Sequence, residues 1–174
     1  MSRATPLARD GYAHFHAITT RWSDNDAYGH VNNVVYYNWF DTIVNAFLVR
    51  HGQLDIVQGA VICLVIETGC TYFSAVAFPD AVTAGLRVTS LGTSSVRYEV
   101  GIFRGDATEP SAQGHFVHVC VDRANRQPIP IPAPLRLLLQ SLVPATDRTP
   151  ADTPALAGAS HFTSPPLPTG DTAT

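Results

Sequence analysis

Hydrophobic and polar positions follow two different periods along this chain of 174 residues. Residues 12–22 alternate loosely between apolar and polar side chains and contain β-branched and aromatic residues, which predicts a strand. Residues 33–50 instead carry apolar side chains at helical spacing, and further apolar side chains fill most of the remaining circumference. Because a helix that is apolar on most sides has to be surrounded, this pattern predicts a buried helix.

Four more strands are predicted after the helix, at residues 60–76, 80–91, 95–104 and 113–123. Apolar side chains alternate within them, as expected for antiparallel strands with one face on a core. The order of one strand, one long helix and four strands predicts an α+β fold in which a sheet wraps the helix. Since such a sheet leaves open edges, we expect a symmetric homo-oligomer.

Composition and charge exclude several classes of protein. The chain is 45% hydrophobic and 14% charged, which suffices for one core. Its net charge is −3 and its 11 basic residues, all Arg, are scattered, so neither a nucleic-acid nor a membrane partner is expected. No stretch approaches the ~20 apolar residues that span a bilayer, and the first residues lack the apolar core of a signal peptide. We therefore expect a cytoplasmic protein.

The expected domain covers residues 1–143. Residues 144–174 form a tail rich in Pro, Thr and Ala, which is expected to be disordered. The three cysteines, Cys63, Cys70 and Cys120, lack CxxC spacing and lie in apolar surroundings. That pattern favours buried thiols in a reducing compartment over disulfides or a zinc site.

Residues 21–33, RWSDNDAYGHVNN, place two acids, a histidine and two asparagines directly before the apolar helix. Asp24, Asp26 and Gly29 fit the first half of an EF-hand loop, but Val35 stands where that loop has its bidentate Glu. A calcium site is therefore not expected, and no other metal motif such as HExxH occurs.

Two interpretations of this segment remain open. In the first, Asn32 or Asn33 caps the helix, Gly29 makes the turn and the acids lie near the positive helix end. In the second, the free N–H groups at the helix start stabilise developing negative charge, and a carboxylate acts as general base or nucleophile. A cap accounts for only one or two of these side chains. Hydrolysis of an activated acyl compound is the chemistry that the whole layout suits.

The run DNDAYGHVNNVVYYNWFD resembles the signature of hotdog-fold acyl-CoA thioesterases of the 4-hydroxybenzoyl-CoA thioesterase type. The matching residues are Asp24, Asp26, Gly29, His30, Val31, Asn32, Asn33, Tyr36 and Phe40. With the later stretches LGTSSVRYEV and QGHFVHVCVDRANRQPIPIP, the resemblance covers about residues 12–140. It implies a long central helix wrapped by an antiparallel sheet of about five strands. It also implies a homo-oligomer, a dimer or a homotetramer, with active sites at the subunit interface.

The resemblance further implies residue roles. Asp26 would be the catalytic carboxylate of an enzyme that hydrolyses an acyl-CoA thioester without a cofactor, either attacking the carbonyl carbon or activating a water. Asp24 would support it, amide donors near Asn32 and Asn33 would polarise the carbonyl, and His30 would shape the approach. Further substrate contacts are assigned to Gly29, Tyr28, Thr93, Ser94 and Ser95.

Other polar residues and other functions stay open. Glu67 and Asp41 are weaker candidate acids, and which arginine meets the CoA phosphates is undetermined. Four histidines are expected to face solvent or a subunit interface, namely His14, His16, His115 and His118. A hotdog hydratase or dehydratase that uses Asp26 with His30 is one rival function, and a noncatalytic acyl-CoA-binding regulator is another. The acyl group cannot be inferred from a single sequence.

Overall fold

Five strands form one antiparallel sheet around a long helix. The structure is a computed structural model that describes residues 5–144. Its main elements are β1 (His14–Ile18), α1 (Asn33–Arg50), β2 (Val61–Tyr72), β3 (Val82–Leu91), β4 (Ser95–Arg104), β5 (Ala112–Asp122) and α2 (Ala133–Gln140). The strand order is β1-β3-β4-β5-β2, and every neighbouring pair is antiparallel. The predicted α+β hotdog arrangement is thus confirmed.

Helix α1 is the buried helix that the apolar pattern predicts, and its bounds agree with residues 33–50. Phe40, Ile43 and Val44 have no exposed surface, and they lie in one core cluster with side chains of β3, β4 and β5. Gly52, just beyond the helix, has a φ of +66°. This left-handed conformation is the one that favours glycine after a helix.

Strand β2 and the first strand are both shorter than predicted. β1 ends at Ile18, and the chain then forms a short 3₁₀ helix at Trp22–Asp24. β2 ends at Tyr72 because the next two N–H groups, of Phe73 and Ser74, both donate to the carbonyl of Ser111, at 2.8 and 3.1 Å. The ladder with β5 therefore stops, and the chain turns toward the start of α1.

Helix α2 is not among the predicted elements. Its leucines recur at helical spacing, and Leu135 and Leu139 are buried in the same core as α1. Leu142 and Val143 also pack there, so the core extends to the end of the predicted domain. Of the predicted tail, all residues after 144 lie outside the described part of the chain. No helix within residues 5–144 is both long and apolar enough to cross a membrane.

One predicted histidine position is wrong. His118 is only 3% exposed, because the alternation along β5 turns Phe116, His118 and Cys120 to the face that packs on α1. His115 lies on the opposite face, where its Nε2 is 3.0 Å from a carboxylate oxygen of Glu67. Polarity alone does not reveal which side of a strand a histidine occupies.

The closest approach of α1 to the sheet yields a stability prediction. A Cβ atom at Gly114 would overlap the ring of Phe40 and would lie 2.6 Å from the carbonyl oxygen of Gly69. Gly114→Ala is therefore expected to lower the free energy of unfolding by about 1–3 kcal/mol, since overpacking forces a shift of core or backbone. Urea denaturation measures the change.

A second substitution at Phe40 tests whether overlap with its ring causes the loss of stability. In Gly114→Ala combined with Phe40→Leu, the loss should be smaller than the sum of the two single losses, because the two side chains compete for one space. Strictly additive losses would contradict this explanation.

Candidate active site

A cavity of about 510 Å³ lies at the N-terminal end of α1. It is bounded by the segment before the helix, by the first helical turn and by the chain that leaves β2. Its lining residues are Asp26, Tyr28, His30, Val31, Asn33, Tyr36, Tyr72, Phe73, Ser74 and Ala75. The cavity thus contains much of the segment that the sequence marks as a candidate catalytic site, and its volume suits a small organic group.

The loop before α1 is held in shape by its own backbone. The N–H of Asp26 donates to the carbonyl of His30 at 2.9 Å, and the N–H of Gly29 donates to the carbonyl of Asp26 at 3.2 Å. Gly29 has a φ of +82°, which other residues adopt with strain. The N–H of Val31 donates to the carbonyl of Val76 at 2.7 Å, which fastens the loop to the chain beyond β2. These hydrogen bonds fix the backbone position from which the Asp26 side chain extends.

The carboxylate of Asp26 is oriented but still accessible. Its Oδ1 accepts a hydrogen bond from the N–H of Tyr28 at 2.8 Å. Its Oδ2 lies 3.5 Å from Nδ1 of His30, and its side chain is 16% exposed. One oxygen is therefore anchored, while the other is directed by a half-exposed imidazole and can face a substrate or a water. This is the arrangement expected of a general base or a carboxylate nucleophile.

The first turn of α1 leaves an amide available. Asn32 is the N-cap: its Oδ1 accepts from the N–H of Val34 at 3.1 Å, and its carbonyl accepts from the N–H of Val35 at 3.0 Å. Among the described residues, no group accepts from the N–H of Asn33, which lines the cavity. A free N–H at a helix start, together with the helix dipole, is suited to stabilise an oxyanion.

Asp24 differs from Asp26 in its surroundings. Its side chain is 1% exposed and does not line the cavity. The carboxylate accepts from the backbone N–H of Arg21 at 2.8 Å and forms an ion pair with the Arg21 guanidinium, also at 2.8 Å. Its carbonyl accepts from the N–H of Asn32 at 2.9 Å. Asp24 therefore holds the loop and the helix cap in place rather than facing the reacting groups.

The predicted contacts Thr93, Ser94 and Ser95 are not brought to this cavity within one chain. Ser95 pairs with Val119, whereas the cavity residue Tyr72 pairs with a residue seven positions earlier on β5. Seven strand residues span roughly 24 Å. Their assignment to substrate binding stays a prediction, and it requires a second subunit.

Sequence reasoning missed the wall that follows β2. The apolar pattern predicts that the strand continues through residues 72–75. It ends at Tyr72 instead, and Tyr72 together with the three residues after it forms one side of the cavity. The hydroxyl of Tyr72 donates to the carbonyl of Asn33 at 3.3 Å, which ties this wall to the helix start. Burial raises the pKa of Tyr72, and it raises the pKa of Tyr36 to about 12, so both rings stay uncharged at neutral pH. The serine in YFSAV was the one sign that the strand ends early.

Among residues 5–144, no three His, Cys, Asp or Glu side chains come together in a way that could hold a metal ion. The residues that line the cavity offer a carboxylate, an imidazole, phenols, a serine hydroxyl and backbone amides. Such groups suit attack on an activated carbonyl carbon.

Comparison with known proteins agrees with this geometry. The family model of the thioesterase-like superfamily matches residues 20–139, a span that includes the loop, α1 and the four strands after it. The chain belongs to the thioesterase-like superfamily. The predicted family resemblance is thus confirmed, and so is the predicted enzyme class, thioester hydrolase. No match is found among the curated proteins.

Several solved structures share the fold. This chain is 50% identical to the PA5185 protein of Pseudomonas aeruginosa strain PAO1, with 81% of this chain and 99% of that one covered and a TM-score of 0.79. A thioesterase of Thermus thermophilus, solved with coenzyme A and Zn, is 26% identical over 76% of this chain and 96% of its own, with a TM-score of 0.63. A 1,4-dihydroxy-2-naphthoyl-CoA thioesterase from Synechocystis is 16% identical over 72% and 93%, with a TM-score of 0.65, which shows the fold alone.

The contrast between the two acids of this thioesterase-like chain is testable. Asp24→Ala is expected to lower the free energy of unfolding by about 1.5–3 kcal/mol, the contribution of hydrogen bonds to a charged group. Urea denaturation measures the loss, and Asp26→Asn is the matched control, because an amide oxygen can still accept from the Tyr28 N–H. Equal stability of Asp24→Ala and the unmodified protein would refute the structural role.

Proposed function

We propose that this protein hydrolyses an acyl-CoA thioester to a free acid and CoA, in the cavity at the start of α1. The observation that carries the proposal is the shared location of two residues: Asp26, with its carboxylate, and Asn33, whose N–H has no acceptor among the described residues, line one cavity. One can act on a carbonyl carbon and the other on its oxygen. The coenzyme A bound to the similar Thermus thermophilus thioesterase supports this substrate class.

The proposed reaction places the thioester carbonyl oxygen at the N-terminus of α1. Asp26 either attacks the carbonyl carbon, forming an anhydride that water opens, or takes a proton from a water that attacks. In both routes negative charge develops on the carbonyl oxygen, and the helix N–H groups and dipole stabilise it. The C–S bond breaks as the tetrahedral intermediate collapses and the CoA thiolate leaves, which gives the anhydride in the first route and the free acid in the second. His30, 3.5 Å from Asp26, directs the free carboxylate oxygen.

A serine nucleophile fits the cavity less well. Ser74 contributes a hydroxyl to the wall, but its Oγ donates to Oγ of Ser111 at 3.0 Å rather than to a base. A serine that attacks an acyl group is activated by a neighbouring general base. We therefore assign the chemistry to Asp26. Gly29, Asn32 and the exposed ring of Tyr28 would contact the substrate at the cavity mouth.

Strand β2 is where a second copy would bind. It is an edge of the sheet, and three consecutive apolar residues on it are exposed, Leu64 at 40%, Val65 at 45% and Ile66 at 64%. An open, apolar edge strand is a template for pairing with another chain. A dimer or homotetramer formed through this edge would cover these side chains and would allow Thr93, Ser94 and Ser95 of another subunit to approach a substrate. We also propose that the protein is cytoplasmic.

The role of Asp26 predicts the kinetics of one variant. Asp26→Asn should fold normally and lower kcat at least about 100-fold, because an amide is neither a base nor a nucleophile of comparable strength. The measurement is thiol release from a panel of aromatic, short-chain and medium-chain acyl-CoA substrates. Glu67→Gln is the matched control and should keep its rate, since Glu67 is bound to Arg97 and His115 on the outer face of the sheet.

Three results would count against this assignment. An Asp26→Asn variant that keeps most of its rate would exclude Asp26 as the working acid. Hydration of an enoyl-CoA without thiol release would favour the hydratase. Binding of acyl-CoA without any turnover would favour a regulator.

The proposed subunit contact predicts a change in mass in solution. Ile66→Lys should convert the oligomer to a smaller species in size-exclusion chromatography with light scattering, because a charge would be buried against the second copy. Leu137→Lys is the control, since Leu137 is 58% exposed and belongs to α2 rather than to strand β2. An unmodified protein that is monomeric, or an Ile66→Lys variant of unchanged mass, would refute this contact.

A further inference from the structure

Two cysteines face each other across neighbouring strands. Cys63 on β2 pairs with Cys120 on β5, and their sulfur atoms are 2.9 Å apart. Both are free thiols. Cys120 is buried in the core beneath α1, and Cys63 is partly buried against that core. Their contact joins residues 57 positions apart in the sequence.

The register at this pair suits a covalent bond. The N–H of Cys120 donates to the carbonyl of Ser94 at 2.8 Å, and its carbonyl accepts from the N–H of Ile129 at 3.0 Å. Both backbone groups of Cys120 are thus engaged away from β2, so Cys63 and Cys120 form a non-hydrogen-bonded pair. In such pairs the Cα atoms are about 4.5 Å apart, within the range of about 4.4–6.8 Å that disulfides span. The bond can therefore form without separating the strands.

A second cavity, of about 270 Å³, gives small molecules access to Cys63, whose sulfur is in contact with the sulfur of Cys120. It lies between the C-terminal half of α1, the following loop and α2, and both Cys63 and His118 line it. Within residues 5–144, neither ring nitrogen of the buried His118 has a hydrogen-bond partner. Burial lowers the pKa of His118 to about 4, so the neutral ring offers one donor and one acceptor. A small polar oxidant such as hydrogen peroxide can be held there.

The two thiols differ in their ease of ionisation. The contact with Cys63 lowers the pKa of Cys120, because a thiolate at Cys120 accepts the hydrogen of the Cys63 thiol, and the Arg136 guanidinium acts in the same direction. The same contact, together with burial, raises the pKa of Cys63. Within the pair, the negative charge of a thiolate is thus favoured on the Cys120 sulfur, while Cys63 keeps its proton.

We propose that Cys63 and Cys120 are a redox site. Hydrogen peroxide oxidises the two thiols to a reversible disulfide between strands β2 and β5. The sulfur that meets the peroxide attacks one of its oxygens, the O–O bond breaks, and a sulfenic acid and one water result. The second sulfur then attacks the sulfenic sulfur, the S–S bond forms, and the hydroxyl leaves with the remaining thiol proton as a second water. The two sulfurs lose two electrons in total, which reduce the peroxide. A dithiol reductant reverses the bond by thiol–disulfide exchange.

The third cysteine provides an internal control. Cys70 lies on the same strand, but its partner across β5 is Gly114, which carries no thiol. The redox site also lies at the opposite end of β2 from Tyr72 and the active-site cavity. Its oxidation can therefore be measured independently of any esterase activity.

The experiment treats the folded full-length protein with hydrogen peroxide and then counts thiols in denaturant. The count is expected to fall from three to one, and the intact mass to fall by two hydrogen atoms. Non-reducing peptide mapping should locate the bond between positions 63 and 120, and dithiothreitol should restore three thiols. Cys70→Ser should lose the same mass and end with no thiol. Cys63→Ser and Cys120→Ser should each form no internal bond.

The oxidised protein should also have a higher Tm than the reduced protein, because the bond restricts the unfolded chain. A count that stays at three would overturn the proposal. So would a bridge that maps to Cys70, or oxidation to sulfinic acid without a bridge. If a serine variant fails to fold, the peptide map of the unmodified protein still decides the outcome.

Discussion

The start of α1 is the constraint on which the rest of this structure depends. The first N–H groups of a helix have no acceptor within the helix, so the chain before it, water or a ligand has to supply one. Asn32 supplies two, with its side chain and its carbonyl, while Asp24 and Arg21 hold the loop that positions the cap. The N–H of Asn33 is left over beside the cavity. The same requirement that shapes the fold therefore also creates the proposed oxyanion site.

Two acids only two positions apart serve different ends because their surroundings differ. Asp24 points into the protein against Arg21, where its charge is neutralised and every contact is internal. Asp26 follows a bridge between Asn25 and Val31 and lines the cavity. The sequence pattern DND thus combines a residue that builds the loop with one that faces the cavity. Neither assignment follows from residue type, since both are aspartates in one turn.

Much of the fold could be predicted from periodicity, and less of the site could. The bounds of α1 followed from its apolar circumference, and β4 from strict alternation, because both signals are local. The end of β2 at Tyr72 was missed, since Ser111, the group that ends it, is distant in sequence. His118 was placed outside the core because a polar residue gave no sign of which face it occupies. The helix α2 was missed although its leucines had the right spacing. Contacts between distant segments are what a single sequence does not contain.

The wall of the active-site cavity beyond β2 has a consequence for the diversity of this superfamily. Phe73 and Ser74 are both held through their backbone N–H groups by the carbonyl of Ser111, an anchor that does not depend on the type of side chain at either position. Different side chains at these positions would change the shape of the cavity while the loop with Asp26 stays as it is. Asp26 and the start of α1 belong to one segment of the chain, and the wall beyond β2 belongs to another. Substitutions in this wall would therefore change which groups fit the cavity while the Asp26 carboxylate and the start of α1 are retained.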